Sequence, residues 1–307
     1  MSIACVFPGQ GSQYVGMARA LAASSEAARA TLAEADEALG EPLSTLIDQG
    51  PEDTLTLTEN NQPAILTVSV AWLRELEARG APAPVLVAGH SLGEYSALVA
   101  AGALGFADAV RLVRIRGRAM QGAAPPGEGT MAALRGLSPE QVRALCDAVD
   151  GVVELAAVNS PVQVVVAGQV SAVEALMAAA EAEGCRATRL KVSAPFHCSL
   201  LKPAADVLAG ALATVPLQAP RVPVLPNVDA TPTTDPARLR AALIAQVHQP
   251  VLWLDSVRRM VADGVARFVE VGPGRTLAGL IKKTDRKLDV VSVDRAGALD
   301  ALLGGAP

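Results

Sequence analysis

Apolar residues along the chain fall into short unbroken runs separated by longer stretches of helical period. Residues 3–7 (IACVF) are one such run, stopped by Pro8-Gly9, which predicts a buried strand entering a loop. Helical patterning follows over roughly 14–39. Residues 63–79 predict a helix with Pro63 near its first turn, and 85–88 (VLVA) predict a second buried strand. Helical character returns at 94–101 and again at 107–120. Strand, turn, helix, strand is the rhythm of an α/β domain with a mostly parallel sheet.

Between 128 and 192 the rhythm changes. TMAAL reads as a strand, and SPEQVRALCDAV as a helix with Ser138 as N-cap and Gln141 three positions on. VELAAVNS and VQVVVAG read as two strands joined by a tight turn, followed by a helix at 171–183 and a strand at 187–192. This β-α-β-β-α-β order is the ferredoxin-like pattern. It predicts a small subdomain, 128–192, inserted into a larger α/β subdomain made of 1–127 and 193–307. In the second part, 199–213, 235–248 and 251–263 read as helices. Residues 222–228 read as extended, and 267–271 as a strand closed by a GPG turn.

Composition narrows the functional classes. The chain has 307 residues, 51% of them apolar and 19% charged, which excludes a disordered chain and allows roughly two domain-sized units. No run of about 18 apolar residues without charge is present, so no transmembrane helix is expected. The start lacks a basic segment, so no secretory signal is read and the cytoplasm is the expected compartment. The net charge of −5 gives no global field for nucleic acid. Cys5, Cys146, Cys185 and Cys198 are widely spaced, which suggests neither a metal site nor a disulfide framework.

The chemistry-bearing motif is Gly89-His90-Ser91-Leu92-Gly93, a G-x-S-x-G between a predicted strand and a predicted helix. That context is a nucleophile elbow, with Ser91 at a helix N-terminus where free N–H groups can face an oxyanion. The ordinary alternative is a glycine-rich turn with a capping serine. A serine nucleophile needs a base, and the chain has three histidines. His90 adjoins Ser91, and neighbouring side chains at a sharp turn point apart. His197 lies where the inserted subdomain returns to the α/β part, and His248 lies near a helix end. The junction position favours His197 over His248.

The helix at 107–120 carries a second signal. With 100° per residue and Arg111 at zero, Arg114 and Arg118 fall at about 300° and 340°, forming one polar stripe that predicts a solvated face. Arg116 falls at about 140°, among Leu112, Val113, Ala119 and Met120 on the apolar side. A buried guanidinium demands a partner. The usual partner is an internal Asp or Glu; the functional alternative is a substrate carboxylate, which Arg grips bidentately.

Taken together, the chain resembles the malonyl-CoA:acyl carrier protein transacylases nearly end to end. The resemblance rests on residues 7–13 (FPGQGSQ), Gln62-Pro63-Ala64, residues 89–96 (GHSLGEYS), Arg116-Gly117, Asn159-Ser160-Pro161, Ala194-Pro195-Phe196-His197 and Gly272-Pro273-Gly274. It implies an α/β-hydrolase-like large subdomain carrying a ferredoxin-like small one. It implies ping-pong transfer of malonyl from malonyl-CoA to acyl carrier protein, with Ser91 as nucleophile and His197 as base. Backbone N–H groups of Gln10 and Leu92 would form the oxyanion hole. Arg116 would bind malonate, His90 would contact substrate, and the backbone carbonyl of Gln246 would orient the histidine. No metal and no cofactor beyond the substrates is implied, and a monomer is expected. The alternatives are a trans-acting polyketide acyltransferase, a serine hydrolase or thioesterase, and a non-enzymatic docking module. Intact Ser91, His197 and Arg116 speak against the last.

Overall fold

The apolar runs sort into two sheets in a computed structural model of the chain, which describes residues 2–125, 127–192 and 194–294. The strands are β1 (Ile3–Phe7), β2 (Leu86–Gly89), β3 (Gly129–Arg135), β4 (Val153–Ser160), β5 (Gln163–Gln169), β6 (Arg186–Arg189), β7 (Val224–Leu225), β8 (Arg267–Val271) and β9 (Asp289–Val293). One sheet is parallel, in the order β7-β2-β1-β8-β9. The other is antiparallel, in the order β4-β5-β3-β6. Every residue of β1 and β2 is buried, as expected of central parallel strands covered on both faces. Chain order runs outward from β1 to β2 and β7, then crosses back to β8 and β9. Such a reversal opens a crevice at the carboxyl ends of the strands.

Each sheet has its own core. Phe7, Val87, Phe268 and Trp72 belong to the larger apolar cluster, and Leu134, Val142, Val166 and Leu176 to the smaller one. The two parts are stitched by backbone: Val158 N–H donates to Val251 O, and Val251 N–H donates to Ala156 O. The Glu154 carboxylate on β4 also accepts from the Ser199 N–H and hydroxyl, two residues after His197. The Ser138–Gln141 capping box is formed.

Several elements differ from the sequence expectation. The helical stretch over 14–39 is two helices, Arg19–Ser24 and Glu26–Leu39, because Ser25 is extended and its hydroxyl caps the second through Ala28 N–H. The helix expected from Pro63 begins at Thr58, so Pro63 lies inside it. Asn60 and Asn61 extend its start by donating their side-chain amides to Thr54 O and Thr56 O. Of residues 222–228 only Val224–Leu225 is strand. β9 is a strand the hydrophobic pattern did not single out; four of its five residues are only half-buried. Residues 295–307, expected in the large subdomain, lie outside the described residues.

Arg114 also departs from expectation. It is buried, because the loop carrying Glu41 and the start of the Thr58–Ala78 helix close over it. Its guanidinium donates to Asn60 Oδ1 and Glu41 Oε2. The helices Thr58–Ala78 and Phe106–Gly122 pack so closely that a Cβ on Gly117 would meet Thr58 O and Glu59 Cα. That approach brings Arg116 beside Gln62.

Candidate active site

Three glycines let the backbone converge at the carboxyl ends of β1 and β2. A Cβ at Gly89 would collide with the Gly93 carbonyl, one at Gly93 with the Phe7 carbonyl, and one at Gly9 with the His90 carbonyl. The resulting turn puts Ser91 in the left-handed region at φ 52°, a conformation that costs on the order of 1–3 kcal/mol for a non-glycine residue. The turn is held from outside: the Ser91 N–H donates to Asn227 Oδ1 at 2.6 Å, and Asn227 Nδ2 donates to Gly89 O at 2.6 Å.

His197 arrives from the junction after the antiparallel sheet, also left-handed, at φ 63°. Its Nε2 lies 2.7 Å from Ser91 Oγ and its Nδ1 lies 2.7 Å from the backbone O of Gln246. A carbonyl only accepts, so Nδ1 carries the proton and Nε2 is left to accept from the serine hydroxyl. Burial, with the Arg116 charge nearby, pushes the His197 pKa down to about 3, so the ring is neutral around pH 7. His248, the other candidate, does not line the cavity around Ser91. The thiol of Cys198, next to His197 in the chain, donates to Pro195 O, and burial raises its pKa to about 12.

Arg116 is 1% exposed. The ordinary expectation of an internal ion pair is not met: among the described residues no carboxylate lies within salt-bridge distance of it. Its donors go instead to Gln62 Oε1 (2.8 Å), Gln246 Oε1 (2.8 Å) and Ser91 Oγ (3.1 Å). Its Nε has no partner among the described residues. A buried cation held by neutral oxygens, with its charge aimed at the serine, can take an anionic group beside Ser91 Oγ.

Gln10, Leu92, His90 and Arg116 all line the same cavity of about 220 Å³ as Ser91 and His197. The antiparallel part supplies Met131, Ala157, Asn159 and Val165 to its walls. His90 Nε2 pairs with Asn159 Oδ1 at 2.8 Å, and burial lowers its pKa. The sequence reading missed Gln62 as an arginine partner, and Glu94 and Asn227 as supports of the elbow. The signals are faint: in the sequence Gln62 and Glu94 stand only as parts of motifs, and Asn227 only within the extended stretch 222–228.

The neutral state of His197 has a consequence for acid stability. Its folded pKa lies below the ordinary 6.5, so the unfolded chain takes up a proton between pH 6.5 and about 3 that the folded chain refuses. Stability tied to this group is intact above pH 6.5 and drains as pH falls. Relative to a His197→Asn variant, the native chain should lose about 2–3 kcal/mol between pH 7 and pH 4.5. Urea midpoints of both proteins across that range check it; a pH-independent difference would contradict the buried neutral imidazole.

With the site described, its class follows. The chain belongs to the acyl transferase family: the family description "Acyl transferase domain" matches residues 4–301. It is 49% identical over 303 residues to the malonyl CoA-acyl carrier protein transacylase of Escherichia coli K12, covering 98% of each chain. It superposes on the malonyl CoA-acyl carrier protein transacylase of Coxiella burnetii with a TM-score of 0.97 at 41% identity, covering 99% of this chain and 97% of that one. A malonyl-transacylase solved with a type II polyketide acyl-carrier protein aligns with a TM-score of 0.97 at 43% identity, over 99% of this chain and 100% of that one.

Proposed function

We propose that the chain transfers malonyl from malonyl-CoA to the phosphopantetheine thiol of acyl carrier protein through a malonyl ester on Ser91, supplying fatty acid synthesis. The observation that carries this reading is Arg116, a buried guanidinium with no carboxylate partner among the described residues, bonded to the hydroxyl that would be acylated. The names of the similar proteins support the same donor and acceptor. A cavity of about 220 Å³ suits an acyl group, with the coenzyme left outside.

His197 Nε2 takes the Ser91 proton as Oγ attacks the thioester carbonyl. Backbone N–H groups of Gln10 and Leu92 meet the charge on the carbonyl oxygen, and Arg116 pairs with the distal carboxylate while His90 borders the acyl group. The C–S bond breaks and the coenzyme A sulfur receives the proton from His197. The carrier thiol then gives its proton to His197 and attacks the ester, and Ser91 Oγ regains the proton as it leaves. The Gln246 carbonyl keeps the imidazole in its working tautomer throughout. The scheme uses no metal or cofactor.

The strand orders support a division into an α/β-hydrolase-like subdomain, 1–127 and 193–307, and a ferredoxin-like subdomain, 128–192. We place the enzyme in the cytoplasm as a monomer; among the described residues no helix is long and apolar enough to cross a membrane.

The reading is tested by mass. Incubated with malonyl-CoA alone, the chain should gain one malonyl group, which should leave when phosphopantetheine-bearing acyl carrier protein is added. Rapid loss to water without the carrier would make the chain a thioesterase.

The carrier is an acidic partner and this chain is itself acidic, so docking falls to local basic groups. Arg186, Arg189 and Lys191 flank the cavity residues Leu190 and Val192, while Lys282, Lys283, Arg286 and Lys287 follow the cavity residues Leu277 and Leu280. All seven are exposed. Reversing the charges of the docking group should slow carrier acylation, steeply so at low salt, and leave malonyl-CoA loading unchanged. Equal effects on both half-reactions would discard that group.

A further inference from the structure

Ser91 and His197 both occupy left-handed backbone, and the groups that hold them there converge on one buried side chain. Asn227 Oδ1 accepts the Ser91 N–H, and Gln246 Nε2 donates to Ser91 O at 3.0 Å. The backbone O of Gln246 is the partner of His197 Nδ1. Beneath both lies Glu94, fully buried: its Oε2 accepts the Asn227 backbone N–H at 2.9 Å and Gln246 Nε2 at 2.8 Å. Asn227 and Gln246 come from separate elements more than 130 positions away in sequence. Glu94 is where they are fixed relative to each other and to the elbow.

We propose that Glu94 is a positioning residue for acyl transfer: through Asn227 and Gln246 it holds the Ser91 turn and the acceptor of His197 in mutual register without touching substrate. The inference rests on Ser91 and His197 being the reacting pair. Glu94 is not among the residues lining the acyl cavity. Its Oε2 faces two donors and must accept from both, so Gln246 turns its NH₂ toward Glu94 and its Oε1 toward Arg116. The other oxygen, Oε1, has no partner among the described residues. Burial raises the carboxyl pKa to about 7, and a proton on Oε1 leaves both accepted bonds intact. Acceptance of two hydrogen bonds at Oε2 is the property the geometry requires, and a neutral side chain with an oxygen there meets it.

The test is the rate at which a small alkyl fluorophosphonate phosphonylates Ser91. Oγ attacks phosphorus, fluoride leaves, and His197 takes the proton; the probe has no carboxylate for Arg116. Glu94→Gln keeps an oxygen at the accepting position and should label at close to the native rate. Glu94→Ala removes the acceptor and Glu94→Asp withdraws it by one methylene. Each should label about 10- to 100-fold more slowly, since small misplacements of a reacting pair cost that much. Melting temperatures identify folded variants, and Glu94→Asp serves where Glu94→Ala does not fold. Native labelling rates in a folded Ala or Asp variant would overturn the proposal. So would a Gln variant as slow as the Asp variant, because charge would then be the operative property. A native chain that takes no label would remove Ser91 as nucleophile, and the role of Glu94 with it.

Discussion

Ser91→Ala should take up no malonyl mass from malonyl-CoA and should transfer none to acyl carrier protein. Removing the oxygen removes the atom placed both 2.7 Å from His197 Nε2 and 3.1 Å from Arg116 Nη2. Loss of a nucleophile acting in concert with its base costs on the order of 10⁴ or more in rate. The fold should tolerate the change, since the elbow is held through the Ser91 backbone, by Asn227 and Gln246, and not through its hydroxyl. Intact-mass measurement of the loaded protein, with the melting temperature alongside, decides the matter. A malonyl adduct that survives in the alanine variant would assign the acyl group to another side chain.

Arg116→Ala should lower malonyl transfer by about two to four powers of ten while acetyl transfer falls far less. A charge-assisted pair in a desolvated pocket is worth about 3–5 kcal/mol when one partner is deleted. Acetyl-CoA offers no carboxylate, so it loses only the contact between Arg116 and Ser91 Oγ. Because the arginine's partners are the amide oxygens of Gln62 and Gln246, its removal breaks no internal ion pair among the described residues. The ratio of malonyl to acetyl transfer in the purified variant is the readout. Equal losses with both substrates would leave Arg116 as a purely structural residue.

Ser91 was legible because its signal is local: an apolar run, two glycines and a helical pattern lie within a dozen residues. Arg116 was legible for a related reason, since helical phase alone places it on the apolar face. Arg114 shows the limit of phase. Phase puts it on the polar stripe and predicts a solvated side chain, but a loop and a second helix, distant in sequence, bury it. Glu94, Asn227 and Gln62 are harder still. Each is a polar residue inside the protein, and what makes that tolerable is a partner 50 to 150 positions away that no local pattern announces. β9 escaped because it lies at the sheet edge with four of its five residues half-buried, so it lacks the apolar density that marked β1 and β2.

The cavity around Ser91 has two builders. Ser91, His197, Arg116, Gln62, Gln246, Asn227 and Glu94 all lie outside the stretch that forms the antiparallel sheet, yet that stretch supplies Met131, Ala157, Asn159 and Val165 to the cavity wall. The pair Ser91–His197 thus lies wholly outside that stretch, while the cavity contour is shared between it and residues such as Met120, Phe196 and Leu277. A lineage can recut that share of the wall by changing the inserted segment while Arg116 and the Ser91–His197 pair pass down unaltered, so the shape of the cavity and its charge can evolve at separate rates.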